Sequence, residues 1–395
     1  MMRIALAVRE RAETMAADLE AEGVEIVAQV APDAVLPPVR LPRGADALVL
    51  TAERGVLTTD LIDACDRAGT RLVLIGGGDA ELRRARRRGL VPPLPADATA
   101  WDVLDALDTG GPAIAKTERA PQGRVVAVWG AEGAAGSSTV AIELAAQLCE
   151  RDRRVVMIDA DTHAPAIALL LGLIDDGPGI AAACRRAELG SLDDDELTRL
   201  AEVFETNRGS FDVLVGLNRP SRWPEISADR LKKTLDICRG WADDIVVDIA
   251  SPLEADEELM SDIEVPRRNA AARSALEQAD HIVAVASADP LGIARFLRGH
   301  AELRALATHT PTTVLVNRLR SSALGLDARG QIRRSLERFA GVRDVQFLPD
   351  DPKAADAALL HARPLSDVAA KSALVAAMRR VARRLAAHDA ASRSH

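Results

Sequence analysis

The sequence has no tyrosine and only 2% aromatic residues, and the first absence excludes tyrosine-based hydride-transfer chemistry. Its four cysteines, Cys65, Cys149, Cys184 and Cys238, lie far apart and form no C-x-x-C pair. That spacing excludes a disulfide frame or a zinc site of that type and suits a reducing cytoplasm. The seven histidines are equally scattered, so no metal cluster is expected. No apolar run reaches the ~18 residues of a membrane-spanning helix. The start, M-M-R-I-A-L-A-V-R-E-R, turns charged too soon for a signal peptide. A net charge of −9 argues against broad nucleic-acid binding, and no specific nucleic-acid partner is expected. The most consequential absence is local: the glycine-rich stretch at 124–139 contains no lysine.

That stretch, R-V-V-A-V-W-G-A-E-G-A-A-G-S-S-T, organises the chain. Val125 to Trp129 read as a short buried strand. A loop follows with Gly130, Gly133 and Gly136, and Ser137, Ser138 and Thr139 open an apolar helix to Leu148. Strand, glycine loop and helix together point bare backbone N–H groups and a helix N-terminus at a phosphate.

A chain of 395 residues suggests about two domains. In the first, strands are expected at 3–9, 24–30, 45–50 and 71–75, alternating with helices at 10–22, 57–68, 79–88 and 101–107. Alternation of this kind implies a parallel sheet with crossover helices. The basic run Arg83, Arg84, Arg86, Arg87 and Arg88 reads as a solvated helix face or as a docking patch for an acidic partner. Residues 109–123, rich in Gly, Pro and polar residues, read as a linker. The second domain, 124–388, has strands at 125–129, 154–158, 211–216, 245–247, 281–286, 313–316 and 345–348. Residues 175–210 look helical and polar. A doubly wound α/β sheet follows, and such sheets bind ligands at the carboxyl ends of their strands. Residues 389–395 are expected to be a disordered tail.

Four strand ends matter together: the glycine loop, Asp159-Ala160-Asp161, Asp248 after I-V-V, and the late pair Asn317-Arg318 and Pro349-Asp350. An aspartate at the end of an apolar strand is the usual place for a carboxylate that holds phosphate-bound Mg²⁺ through water. The late pair could supply donors and acceptors to a purine edge. Asp159 and Asp161 could equally cap the following turn, and Asn317 could be a turn residue.

On these residues the stretch 124–387 resembles the MinD/ParA superfamily of P-loop ATPases, and within it the CpaE/TadZ-like branch. Members carry a loop of the form K-G-G-x-G-K-T-T, which here is E-G-A-A-G-S-S-T, residues 132–139. V-V-M-I-D-A-D (155–161) with L-L-G-L (170–173) is similar to the second strand and switch I. D-I-A-S-P-L-E (248–254) is similar to Walker B and switch II. L-V-N-R-L-R (315–320) and L-P-D-D-P-K-A-A-D-A-A-L-L-H-A-R-P-L (348–365) are similar to the adenine-side segments. The first domain resembles a flavodoxin-like response-regulator receiver, a fusion typical of that branch. A working receiver needs a carboxylate at the end of its third strand, and Thr51-Ala52 stand there. Arg9 and Glu10 replace the acidic pair after the first strand. The first domain, 1–108, is therefore read as a receiver-like scaffold without phosphorylation chemistry.

The resemblance implies ATP and Mg²⁺ as cofactors, held by Gly130, Gly133, Ala134, Ala135, Gly136, Ser137, Ser138, Thr139, Asn317, Arg318, Pro349 and Asp350. It implies Ser138, Asp161 and Asp248 around the metal, partly through water, with Asp161 also positioning the attacking water. It further implies homodimerisation, protein partners in pilus, secretion or division machinery, and a cytoplasmic protein recruited to a pole or septum. Two departures bear on mechanism. Glu132 stands where the signature lysine would cross a dimer interface, and Ser137 where the phosphate-loop lysine would lie. Losing one such contact typically costs ~3–4 kcal/mol of transition-state stabilisation. Nucleotide binding with weak or no hydrolysis is therefore expected. Arg267-Arg268 could replace the missing charge or simply begin a helix.

Two other functions compete with an ATP-binding spatial regulator. One is an interaction scaffold with a dead pocket. The other is a dinucleotide-dependent enzyme, since the glycines fit a loose dinucleotide loop and Asp159 lies about where a ribose-binding acid belongs. Ser138-Thr139 and the Walker B-like strand speak against the enzyme. Near the end, Leu374, Met378, Val381 and Leu385 form a narrow helical stripe flanked by arginines. Without an aromatic residue to seat in a bilayer, packing against the sheet is expected, and any membrane contact would be peripheral.

Overall fold

The structure, a computed structural model, describes residues 2–9, 11–35, 41–42, 44–52, 56–57, 59–76, 78, 81–82, 85, 90–109, 123–133, 136–149, 153–173, 179–254, 267–320 and 327–392. The arginine run at 83–88, the linker between 110 and 122, and Ala134-Ala135 lie outside them. The chain divides into two compact units, Met1–Glu118 and Arg119–His395.

The first unit is built on strands β1 (Arg3–Ala7), β2 (Glu25–Gln29), β3 (Ala47–Thr51) and β4 (Arg71–Ile75). Their order is β2-β1-β3-β4 and every pairing is parallel. The central strands read as apolar runs because helices cover both faces of such a sheet. Alternate residues go to opposite sides. Ile4 and Leu6 pack with Leu19, Val103 and Leu107 of helices Ala12–Ala21 and Ala100–Thr109. Ala5, Leu48 and Leu50 pack with Leu61 and Cys65 of helix Thr59–Ala68. Leu94 adds a single parallel bridge beside Ile75. This arrangement fits the receiver-like fold. β3 ends at Thr51, whose hydroxyl accepts the Arg9 N–H at 3.3 Å.

The second unit carries eight strands: β5 (Arg124–Gly130), β6 (Val155–Ala160), β7 (Glu202–Thr206), β8 (Gly209–Leu214), β9 (Asp244–Ile249), β10 (His281–Ser287), β11 (Thr312–Leu319) and β12 (Val345–Pro349). The order is β12-β11-β10-β5-β9-β6-β8-β7, parallel except for β7 against β8. β5 lies at the centre, wholly buried. The helix after it, Ser137–Leu148, packs on one face through Val140, Ala141 and Leu144. The helix after its neighbour β10, Pro290–Leu306, packs on the other through Ile293, Phe296 and Leu303. Chain connections thus leave β5 and β10 to opposite faces, the point where open α/β sheets form a crevice.

β7 corrects the reading of 175–210 as helical. Helices Gly179–Glu188 and Asp194–Leu200 occupy most of that stretch, but E-V-F-E-T forms an antiparallel edge strand. Phe204 stacks on Phe211 with ring centroids 5.3 Å apart, and the Thr206 hydroxyl closes the turn on the Gly209 carbonyl at 2.9 Å. The burial of that aromatic pair outweighs the polarity of the flanking residues.

At the amino ends of the central strands, buried Asp244 accepts from Arg124 Nε at 2.5 Å and Arg153 Nε at 2.6 Å. The last helix, Ala373–Ser392, buries Leu374, Met378, Val381 and Leu385 against the same face as Ser137–Leu148. It runs to Ser392, through the first residues of the stretch expected to be a tail. Trp241 is a packing residue, its Nε1 donating to the Thr198 hydroxyl at 3.2 Å under the Arg154 guanidinium. Trp223 packs half-buried against the core. No helix among the described residues is long and apolar enough to cross a membrane.

Candidate functional site

The glycine loop leaves β5 at the centre of the sheet. Gly133 and Gly136 have φ +94° and +81°, a region that side chains with a Cβ enter only at a cost. Close approach adds to the demand. A Cβ on Gly136 would sit 2.9 Å from Asn317 Nδ2, and one on Gly130 2.9 Å from the Ser137 Cβ. Gly136 begins helix Ser137–Leu148 with no side-chain cap, and no acid occupies the first turn. The first N–H groups, around Ser137, Ser138 and Thr139, therefore open onto the crevice.

Behind the loop stand the strand-end carboxylates. Asp159 and Asp248 are direct neighbours in the register of β6 and β9. Both oxygens of Asp248 are buried and have no hydrogen-bond partner among the described residues. Burial, then the nearby Asp159 charge, pushes the Asp248 carboxyl well above its ordinary range, and Ser138 opposes the shift. Asp159 is pushed up to about 7, chiefly by burial, although its oxygens accept N–H groups from Asp161, Ala166 and Ile167 at 3.2, 3.0 and 3.0 Å. Asp159 thus organises the turn leading into helix Ile167–Leu170. Asp161 does the same one step out, its Oδ1 accepting from His163 and Ala164 at 2.7 and 2.9 Å. Turn capping, one of the two roles open to both residues in the sequence, is visible for each.

A divalent cation fits this arrangement. Asp248 is an orphaned buried carboxylate beside the Ser138 hydroxyl, and the glycines keep clear a cradle that any Cβ would fill. Among the described residues no group of three or more His, Cys, Asp or Glu forms a complete metal cage. That suits Mg²⁺, which usually binds through one or two carboxylates, waters and substrate phosphates.

On the other side of the loop, β11 and β12 break register between Val316 and Leu319. The break puts Arg318 at φ 58°, an uncommon conformation for a residue other than glycine. Asn317 turns its Oδ1 to the Arg318 N–H at 2.8 Å, while its carbonyl takes the Ala288 N–H. A cleft of about 420 Å³ opens here, lined by Gly136, Thr139, Asn317, Arg318, Pro349 and Asp350 among others. Six of the expected site residues are thereby brought to one cleft. Gly133 and Glu132 line a second cavity of about 200 Å³, and Arg318 borders both.

Arg267 and Arg268 are placed elsewhere. Arg268 donates through Nε and Nη2 to the Thr162 carbonyl at 3.3 and 3.1 Å, and Thr162 Oγ1 returns a bond to the Arg268 carbonyl. His163 meets Asn269 at 3.0 Å beside it. This double clasp ties the loop after β6 to the segment before helix Ala270–Gln278. Arg267 lines a separate surface hollow with Glu254 and Arg273. Sequence reasoning missed Ser287, Asp289 and Arg295, which face the loop across the second cavity. The available signal was S-A-D-P at the end of β10. Asp289 caps Pro290–Leu306 by accepting the Gly292 N–H at 2.8 Å, with proline at the first helical position.

Residues 126–365 match the family profile described as CbiA, the CobQ/CobB/MinD/ParA nucleotide binding domain. No curated protein matches the sequence. Among solved structures, a ParA family ATPase from Chlorobium tepidum TLS is 18% identical with a TM-score of 0.54, over 66% of this chain and 98% of that one. The septum site-determining protein MinD from Pyrococcus horikoshii OT3, complexed with Mg-ADP, is 16% identical with a TM-score of 0.51, over 66% and 95%. MinD in the MinC:MinD complex of Aquifex aeolicus is 18% identical with a TM-score of 0.50, over 67% and 96%. At these identities the likeness is one of fold.

Proposed function

This chain belongs to the CobQ/CobB/MinD/ParA nucleotide-binding family, and we propose that it is an ATP- and Mg²⁺-binding spatial regulator of the MinD/ParA kind. Its output is the position of other proteins, and turnover is weak or absent. The observation that carries this reading is Asp248, buried with both oxygens unpartnered behind an uncapped helix N-terminus. Ser138 and Asp248 would hold Mg²⁺, partly through water, with Asp161 beside them. Such an ion would supply charge neutralisation at the phosphates, which the N–H groups of the loop would bind. Asn317, Arg318, Pro349 and Asp350 line the base side. Ser137 and Glu132 leave the loop without its two lysines, which supports binding over cleavage.

The degenerate loop and the receiver-like first unit support the CpaE/TadZ-like branch. That branch brings a homodimer, partners in pilus, secretion or division machinery, and recruitment from the cytoplasm to a pole or septum. The Mg-ADP of the P. horikoshii protein and the MinC partner of the A. aeolicus one support cofactor and partner of this kind. Asp159 argues against a dinucleotide enzyme, because its oxygens serve backbone N–H groups instead of a ribose.

Titration of labelled ATP with Mg²⁺ into the full chain, beside Asp248→Ala and with phosphate release followed, tests the reading. Saturable binding lost in the variant, with little or no phosphate released, is expected. Absence of saturable binding in the unaltered chain would make it the nucleotide-free scaffold instead.

A further inference from the structure

We propose that Arg295, with Arg318, supplies the positive charge that the glycine loop lacks and makes the site favour a nucleoside triphosphate over a diphosphate. The inference rests on the nucleotide-binding reading above and adds the residue that reads the terminal phosphate. Arg295 lies on helix Pro290–Leu306, far from the loop in sequence, and the switch between β5 and β10 brings it there. Its guanidinium lies directly against Gly133, so close that a Cβ on that glycine would overlap Nη1. Gly133 is thus needed twice: for its positive φ and for the space the arginine fills.

Arg295, Arg318, Glu132 and Gly133 share the walls of the 200 Å³ cavity, which adjoins the larger cleft through Arg318. Among the described residues neither arginine forms an ion pair. Arg295 is half-buried and bears electrostatically on Asp289, whose carboxyl is held low first by the Ser287 hydroxyl and the Gly292 N–H. The Arg295 guanidinium against a phosphate-type loop, with Arg318 lining the same cavity, suits the non-bridging oxygens of a phosphate, which a guanidinium can grip bidentately. Glu132 would otherwise repel such a group, and Arg295 across the same cavity offsets it. Arg295 lines the cavity at Gly133 and not the cleft at Gly136 and Thr139, so a phosphate beyond those held at the helix N-terminus is the one that would meet it.

The test is titration of the full chain with a non-hydrolysable ATP analogue and with ADP, each with Mg²⁺, for the unaltered protein, Arg295→Ala and Arg295→Lys. Far-ultraviolet circular dichroism checks that the variants fold. The unaltered chain should prefer the triphosphate. Arg295→Ala should weaken triphosphate binding roughly tenfold or more and change ADP binding by less than about twofold, while Arg295→Lys retains part of the preference. Equal loss of both nucleotides, or unchanged triphosphate affinity in Arg295→Ala, overturns this inference and leaves nucleotide binding standing. An unaltered chain that binds neither nucleotide overturns both.

Discussion

The chain contains two sheets of similar design, parallel but for the edge strand β7, and they differ at the carboxyl ends of their strands. In the first, β3 ends at Thr51, a neutral residue bonded to the Arg9 N–H. In the second, the matching ends carry Asp159 and Asp248, buried side by side with raised pKa values. Burying an unpaired carboxylate costs free energy that a structural sheet has no reason to spend. Among the described residues the first sheet buries no carboxylate. The second keeps that cost at the crevice between β5 and β10, where sheets of this kind bind ligands, so the two units share a layout and differ at these strand ends.

The two units differ most in stability terms at the other ends of their strands, where the charges sit. Asp244 is buried with Arg124 and Arg153, whereas Asp46 pairs with Arg3 in the open, each side chain more than 40% exposed. Asp244→Ala should destabilise the second unit by about 3–5 kcal/mol, because two arginines lose their partner. A thermal melt should shift by roughly 10 °C. Asp46→Ala should leave the melt almost unchanged, because that pair is screened by solvent.

Next in size is a pH effect confined to the second unit. Glu143 lies inside helix Ser137–Leu148 and accepts from Gln147 Nε2 at 2.7 Å and the Ser366 N–H at 3.0 Å. Burial nevertheless pushes its carboxyl up to about 7, from 4.5 when exposed. The folded state therefore holds a proton that the unfolded chain has released. Stability from this group is complete below about pH 4.5 and is lost as pH rises to 7, by about 3 kcal/mol. Asp159 acts in the same direction. Urea unfolding should show stability falling from pH 5 to pH 8 in nucleotide-free protein, with a shallower fall in Glu143→Gln. A rise over that window would contradict the assignment.

Smaller again is Gly136→Ala. The positive φ and the nearby Asn317 amide should cost about 1–2 kcal/mol, and nucleotide binding should weaken about tenfold, as read by titration. The smallest effect belongs to the first sheet. Incubation with a small phosphoryl donor and Mg²⁺ should leave the mass of the full chain unchanged, since Thr51 replaces the acceptor. Stable mass addition within 1–108 would erase the distinction between the sheets.

Much of this was legible in the sequence because parallel strands advertise themselves. V-V-A-V-W, V-V-M-I-D and I-V-V-D are buried on both faces, so their apolar runs and terminal aspartates stand out from the polar segments between them. β7 was hidden because E-V-F-E-T is short, has no clean alternation and lies within a polar stretch. The role of Asp159 as a turn organiser needed the positions of the Ala166 and Ile167 N–H groups. Arg295 carried no local signal at all. Nothing in P-L-G-I-A-R-F-L says which residue faces Gly133, because that contact comes from the crossover between β5 and β10. The same holds for Arg318, whose positive φ arises from the register break against β12.

In the proposed function the strand ends of the second sheet hold a magnesium nucleotide. Calorimetric titration of the full chain with ATP, with and without Mg²⁺, tests it most directly when repeated on Asp248→Ala. Binding should saturate with Mg²⁺, weaken when the ion is withheld, and be lost in the variant. Binding that is the same with and without Mg²⁺ in the unaltered chain, or no binding at all, would contradict the account.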